Sequence, residues 1–172
     1  MVTTMPSFDD AFATVMGVEK GFTNNPQDPG NWTSGKVGVG ACRGTNHGIS
    51  AASYPDLDIR ALTLDQCKAI AKRDYWDKYQ CDEFDPRIGE QVFDAAYNGG
   101  HPAQWLQQSA GVRPDGAIGP QTVAAVKALD PRQIIMRFDS YRLDYLASCR
   151  DLPDFAGGWM RRIATNLMQG AA

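Results

Sequence analysis

Residues 20–50 place the strongest constraint on how this chain can fold. The stretch is rich in Gly, Asn, Pro, Thr and Ser, and it lacks the recurring apolar positions of a helix. Turn-forming residues at this density predict loops, and the short piece Val37-Gly38-Val39 predicts a small β-hairpin among them. A connection this long is uncommon inside a compact domain unless it has a function, so we expect a functional segment here.

Helical patterns occupy the rest of the chain. The first begins at Ser7 and should run to about Glu19, where Gly21 stops it. A capping box that begins at Thr63 opens a second helix, which should continue to about Tyr79. Further helical patterns begin at or near prolines, at Pro86, Pro102, Pro120, Pro131 and Pro153.

The predicted architecture is mainly α, with about seven helices and a small β-hairpin lobe after the first helix. No linker separates residues 1–85 from residues 86–172, so we expect a single compact domain of 172 residues. A rigid helix end and a hairpin lobe can form opposite walls of a cleft, and a polymer could lie across such a cleft.

Charge and composition exclude several classes of protein. The net charge of −3 gives no basic footprint for nucleic acid. No apolar run approaches the roughly 20 residues that cross a bilayer. Residues 1–6 have neither the basic start nor the apolar stretch of a Sec signal peptide, so we expect synthesis in the cytoplasm. We also expect a monomer. The spacing of the four cysteines is not that of metal ligands, and the sequence leaves open whether they are thiols or form disulfides: Cys42, Cys67, Cys81 and Cys149.

The segment from Glu19 to Gly30 carries the residues best suited to chemistry. Glu19 ends an amphipathic run, and Asp28 follows in a turn-forming sequence. Cleavage of a polysaccharide uses one carboxylic acid to protonate the leaving oxygen and a second polar group to manage water or developing positive charge. Equally, Glu19 could be a solvated helix-end acid and Asp28 a turn former. The residue types alone leave both interpretations open.

Motifs in a fixed order resemble those of glycoside hydrolase family 108, the muramidases found among phage endolysins and bacterial wall hydrolases. The first runs from Glu19 to Gly30, and the second from Gly44 to Ser50 is close to the family pattern. The resemblance covers residues 8–168. Its later part, with Trp105-Leu106-Gln107-Gln108, Asp115 to Thr122 and Gly158 to Arg161, resembles a predicted peptidoglycan-binding region.

The resemblance implies a lysozyme-like fold and hydrolysis of the β-1,4 bond between N-acetylmuramic acid and N-acetylglucosamine, without metal or cofactor. Glu19 would be the general acid, with a pKa raised by a partly dry cleft. Asp28, at the spacing of phage lysozymes, would orient water or stabilise an oxocarbenium-like transition state. Thr45 would hold the attacking water, with Thr33 as the alternative, and this arrangement favours inversion over retention.

Three further residues are candidates for binding sugar. Asn98 could face sugar acetamides or simply end its helix, and Trp32 could stack on a sugar ring or belong to the core of the lobe. Asn24 is the third candidate.

Other interpretations stay open at this point. A lytic transglycosylase needs only Glu19 and releases 1,6-anhydro products, and a wall-binding or phage-assembly module would need no catalytic residue. An enzyme made in the cytoplasm would act on glycan strands of the wall after passing a holin-like pore or a secretion route. It could serve as a phage or prophage endolysin, or as a bacterial protein that releases other secreted proteins.

Overall fold

The computed structural model describes residues 7–18, 21–149 and 152–171. Seven α-helices and one two-stranded antiparallel sheet lie within these ranges, which confirms the predicted fold class. Contacts divide the chain into an N-terminal unit, Asp9–Asp74, and a C-terminal unit, which is Phe8 with the residues from Tyr75 onward. That the whole chain forms one domain stays a prediction. None of the helices in the described ranges is long and apolar enough to cross a membrane.

The N-terminal unit contains two helices and the sheet. Helix α1, Phe8–Val18, buries Ala11, Phe12 and Val15, one stripe of its surface. Strands β1, Thr45–Asn46, and β2, Ile49–Ser50, pair in antiparallel register. Helix α2, Leu64–Ala71, begins with the predicted capping box, in which Thr63 accepts from the Gln66 amide and Gln66 accepts from the Thr63 amide.

Helix α2 ends earlier than predicted. The chain continues from it into a π-helical turn, Lys72–Asp77, rather than an α-helix to Tyr79. The wider turn changes which side chain faces inward, so that Trp76 is buried while Tyr75 is only half-buried. In the C-terminal unit the Trp76 ring packs edge-to-face on Phe8 and Phe93.

The C-terminal unit is a helical bundle around α3, Pro86–Asn98. This helix is buried along most of its length, and it ends at Asn98 before two glycines. Its neighbours each have a proline in the first turn: α4, Pro102–Ser109, α5, Pro120–Lys127, α6, Pro131–Ser148, and α7, Leu152–Ala171. Helix α6 packs against α3, α4 and α7, and its side chains Ile134, Ile135 and Phe138 are fully buried.

The hairpin lies at a different place from the one predicted. Val37-Gly38-Val39 is an exposed turn, with the side chains of Val37 and Val39 about half accessible. No core covers these two side chains, and Gly38 has a φ of +78°, which is not a strand conformation. The strands form instead at Thr45–Asn46 and Ile49–Ser50, where Asn46 and Ile49 are buried.

Candidate active site

Asn31 is fully buried and connects the two halves of the loop motif. Its side-chain Nδ2 donates to the Asn25 carbonyl at 2.9 Å, and its Oδ1 accepts from the Thr45 hydroxyl at 2.8 Å. Its backbone carbonyl accepts from the amides of Arg43 and Gly44 at 2.8 and 3.1 Å. One side chain therefore fixes loop segments that are far apart in sequence.

Asp28 lies next to this residue and begins a 3₁₀ turn, Pro29–Asn31. Its Oδ1 accepts from the Gly30 amide at 2.8 Å, and its backbone carbonyl accepts from the Asn31 amide at 3.1 Å. The residue is exposed. The carboxylate thus has a turn-capping role, and its location at the surface of the loop also leaves it accessible to solvent.

Thr45 is held on both its backbone and its side chain. Its amide and carbonyl pair with those of Thr23 at 2.9 and 2.8 Å, an isolated antiparallel bridge. Its hydroxyl donates to Asn31 Oδ1, so this hydroxyl is oriented by a buried acceptor. Thr33, the alternative, uses its Oγ1 to accept from the Ala41 amide at 3.0 Å, which closes the exposed turn of the loop.

Trp32 and Asn24 both contact Cys42. The backbone of Trp32 pairs with that of Cys42, and the indole Nε1 of Trp32 donates to the Pro26 carbonyl at 2.9 Å. Asn24 is exposed, and its Oδ1 accepts from the Cys42 thiol at 2.9 Å. Asn24 and Cys42 both line a cavity of about 500 Å³ in the N-terminal unit. Trp32 is half-buried.

The two remaining predicted site residues lie elsewhere. Glu19 is outside the described residues. Asn98 belongs to the C-terminal unit and is exposed at the end of α3, where its Nδ2 donates to the Asp94 carbonyl at 2.7 Å and to Asp94 Oδ1 at 3.1 Å. Within the described ranges, no three His, Cys, Asp or Glu side chains come together as metal ligands would.

The family of this chain follows from its similarity to known proteins. The profile of the family described as Glycosyl hydrolase 108 matches residues 12–100, more than half of the chain. The chain belongs to the glycosyl hydrolase 108 family. A second profile, described as Predicted Peptidoglycan domain, matches residues 101–164. Together they identify a glycoside hydrolase of a peptidoglycan hydrolase family.

A solved structure supports the same fold. The chain is similar to the structure described as Brucella abortus SagA, with 27% sequence identity and a TM-score of 0.80. The similarity covers 95% of this chain and 93% of that one. No curated protein matches the chain.

The peptidoglycan-domain region of this family member has its own buried amide. Gln107 on α4 is buried, and its Nε2 donates to Asp115 Oδ1 at 2.7 Å and to the Ala117 carbonyl at 3.1 Å. Its Oε1 accepts from the Gly116 amide at 2.8 Å. Gln107 therefore holds the Asp115-Gly116 turn in the way that Asn31 holds the glycosyl hydrolase 108 loop.

Sequence reasoning missed Asn31 and the cavity lined by Asn24. Asn31 follows Gly30 directly, at the end of the first motif, and the only signal for it was its place between the two motif halves. The cavity walls include Arg43, Asp58 and Arg60, which lie outside any family motif identified from the sequence. Isolated charges in a loop of this kind look like solvated surface, so the sequence carried no signal for their assembly.

Proposed function

We propose that this family member is a muramidase that hydrolyses the β-1,4 bond between N-acetylmuramic acid and N-acetylglucosamine. The observation that carries the proposal is the network around Asn31, which joins the loop bearing Asp28 to the strand bearing Thr45. The Thr23–Thr45 bridge also anchors the chain shortly after Glu19. Catalytic groups need to be held by rigid neighbours, and this network supplies such support for the loop side of a site.

The proposed roles follow from the chemistry of glycoside cleavage. Glu19 donates a proton to the bridging oxygen, and this requires a carboxyl group that is protonated at working pH. The Thr45 hydroxyl is already oriented through its hydrogen bond to Asn31, and its lone pairs are available to a water molecule. Asp28, which is exposed, would stabilise positive charge that develops on the sugar ring. Asn98, Trp32 and Asn24 are the proposed sugar contacts.

Replacement of Glu19 by Gln tests this proposal. The amide is nearly the same size as the acid but cannot deliver a proton, so the Glu19→Gln variant should release fewer than about one hundredth of the wild-type reducing ends from purified sacculi. The control is Glu83→Gln, because Glu83 is an exposed acid whose partner is Lys127. A Glu19→Gln variant that is folded and clears sacculi at the wild-type rate would exclude the assignment.

A lytic transglycosylase is the second candidate, and one feature of the loop favours it. The Asp28 carboxylate already accepts from the Gly30 amide as the cap of a 3₁₀ turn, so the second acid has a structural role of its own. In that reaction the 6-hydroxyl of the muramic acid attacks in place of water. Mass spectrometry of the released muropeptides separates the two: reducing ends support the muramidase, and 1,6-anhydro ends support the transglycosylase.

A further inference from the structure

The cavity of about 500 Å³ in the N-terminal unit has a size typical of a small-ligand site. Three stretches of chain form its walls. The first contains Phe22 and Asn24, the second contains Cys42 and Arg43, and the third contributes Asp56, Asp58 and Arg60. The cavity is therefore built by the folded loop and not by any one segment.

Two positive and two negative side chains line this cavity without neutralising each other. Among the described residues, no ion pair joins Arg43 or Arg60 to Asp56 or Asp58. Three of the four are held by neutral groups instead. Arg43 Nη1 donates to the Pro55 carbonyl at 2.8 Å, the Arg60 guanidinium lies 4.5 Å from the centre of the Phe22 ring, and Asp58 Oδ1 accepts from the Ala61 amide at 3.3 Å.

Such an arrangement leaves charges of both signs available to a ligand. A guanidinium has five N–H donors in a rigid fork, so one bond from Arg43 to a carbonyl leaves most of them for a carboxylate. Contact with the Phe22 ring fixes the Arg60 guanidinium while its edges stay open for hydrogen bonds. The carboxylates of Asp56 and Asp58 can accept from an ammonium group.

The cavity also lies close to the candidate catalytic loop. Thr23, between Phe22 and Asn24, pairs with Thr45, and Cys42 pairs with Trp32. These two bridges connect the cavity walls to Thr45, which we propose holds the attacking water, and to Trp32, which we propose contacts the sugars. A group attached to a bound sugar could therefore reach this cavity.

We propose that this cavity binds the zwitterionic end of a diamino-acid residue in the peptide stem of peptidoglycan. The inference rests on the proposed function, because the stem is attached to the muramic acid of the bond to be cleaved. N-acetylated sugars in the glycan carry no ammonium group, whereas a stem residue such as diaminopimelate carries an ammonium and a carboxylate on one carbon. A cavity with unpaired guanidinium and carboxylate groups matches that chemistry.

Binding of free stem peptides tests the proposal without any need for hydrolysis. Calorimetric titration should show that L-Ala-γ-D-Glu-diaminopimelate binds the full chain about tenfold more tightly than the same peptide with lysine, which lacks the second carboxylate. Arg60→Gln and Arg43→Gln should each remove most of that preference. Arg132→Gln is the control, because Arg132 is exposed on α6 and far from the cavity in sequence, and it should bind as the wild type does.

Two variants are used because Arg43 also supports the Pro55 carbonyl, and thermal melts show whether each one folds. Equal binding of the two peptides, no binding of either, or an unchanged preference in folded Arg60→Gln would overturn the proposal. A separate assay, hydrolysis of peptide-free glycan strands by the wild type, tests the muramidase activity independently of stem binding. Cleavage without stem binding would reject only the cavity proposal. Stem binding without cleavage at any glycosidic bond would reject only the muramidase proposal.

Discussion

Asn31 shows how one buried amide can organise a loop that has little regular structure. Its side-chain donor binds the Asn25 carbonyl, whereas its side-chain acceptor and its backbone carbonyl bind the consecutive residues 43–45. The sequence could not reveal this role, because an Asn among Gly, Pro and Thr is also typical of an exposed turn. Its burial depends on the packing of segments 25, 43–45 and 31 around each other, which local sequence does not encode.

Asn31→Ala should lower the stability of the N-terminal unit. The substitution removes the acceptor of the half-buried Thr45 hydroxyl, and a buried polar group left unpaired costs about 1–3 kcal/mol. The Asn25 carbonyl loses one of its two donors and keeps the Asp28 amide. We expect the melting temperature to fall by several degrees in calorimetry. Because the Thr45 hydroxyl loses its orientation, hydrolysis measured well below the melting temperature should fall as well.

The control is Gln27→Ala, at an exposed position in the same loop. It should change the melting temperature little, since exposed substitutions away from special features usually have small effects. Full hydrolytic activity in folded Asn31→Ala would show that the network does not position Thr45 for catalysis.

Gly44 is the second residue that the loop requires. Its φ is +88°, and a Cβ added there would lie 2.5 Å from the Thr23 carbonyl oxygen and 2.7 Å from the Phe22 ring. Gly44→Ala should therefore destabilise by more than the roughly 1 kcal/mol that a left-handed conformation costs an alanine, and it should disturb the bridge between Thr23 and Thr45.

The Gly38→Ala variant separates the effect of backbone strain from the effect of the close approach of Thr23 and Phe22. Gly38 has a similar φ of +78° but no atom within 4 Å of an added Cβ. Denaturant unfolding of both variants should show a clearly larger loss for Gly44→Ala. Equal losses would mean that backbone strain alone, and not the close approach of Phe22 and Thr23, explains the need for glycine at position 44.

At the level of elements, helix starts could be predicted from signals in the local sequence. The capping box at Thr63 and the prolines Pro86 and Pro131 all lie where the structure begins a helix. The π-helical turn Lys72–Asp77 could not be predicted, because the residue types of a helical run do not distinguish i→i+5 hydrogen bonds from those of an α-helix. The predicted place of the hairpin was wrong because strand formation depends on burial, and the structure buries Asn46 and Ile49 but leaves Val37 and Val39 exposed.

Helices α3, α6 and α7 meet around a buried polar cluster. Asp94 accepts from Arg142 at 2.7 Å, from Arg162 at 2.8 Å and from Asn166 at 2.9 Å. Burial opposes ionisation of Asp94, but the two guanidiniums and the Asn166 hydrogen bond outweigh it and lower its pKa. Asp139 on α6 is nearly inaccessible, and neither of its carboxylate oxygens has a hydrogen-bond partner among the described residues.

This cluster predicts that stability depends on pH through Asp139. Burial raises the pKa of Asp139 from 3.8 to about 7, with Arg142 opposing the change and Asp94 adding to it. The folded chain thus keeps a proton that the unfolded chain releases near pH 3.8. Stability from this group is complete below that pH and is lost as pH rises through about 7, since the unfolded state binds fewer protons in between.

Asp139→Asn should remove this dependence, because the amide stays neutral at every pH. We expect the wild type to be less stable at about pH 8 than at about pH 5, and the variant to lack that difference. One pKa unit corresponds to about 1.4 kcal/mol, so at the higher pH the free energy of unfolding of the variant should exceed that of the wild type by at most about 4 kcal/mol. Chemical denaturation at the two pH values measures it.

The matched control is Asp144→Asn, an exposed aspartate on the same helix. It should keep the wild-type pH dependence. Asp94 affects stability in a lower pH range than Asp139. Because its pKa is lowered in the folded chain, its contribution to stability is lost only as pH falls below the ordinary aspartate pKa. Wild-type stability that is constant between the two pH values would show that Asp139 is ionised in the folded chain.

For the whole molecule, the place where the chain crosses between the two units bears on how they unfold. The division between them falls after Asp74, inside the π-helical turn Lys72–Asp77, and not at the 85/86 boundary considered from the sequence. The chain thus passes from one unit to the other through helical backbone rather than through a loop. Because unfolding of either unit would disrupt this shared helical turn, we expect the two units to unfold together.

Calorimetry should therefore show a single unfolding transition whose van't Hoff and calorimetric enthalpies agree. Gly44→Ala in the N-terminal unit should shift that whole transition, because a local change is felt by every part of a cooperative unit. Limited proteolysis serves as the second measurement. Two separate transitions, or two stable fragments after a cut near residues 75–85, would contradict a single domain.

The exposed turn at residues 34–40 has a practical consequence. Hydrogen bonds from Ser34 Oγ to the Lys36 and Val39 carbonyls close it within itself, and the Thr33–Ala41 contact closes its base. The framework around Asn31 begins only below that base. A short affinity tag or a fluorescent label grafted between Lys36 and Gly38 would consequently report on the protein while leaving the loop beneath it intact.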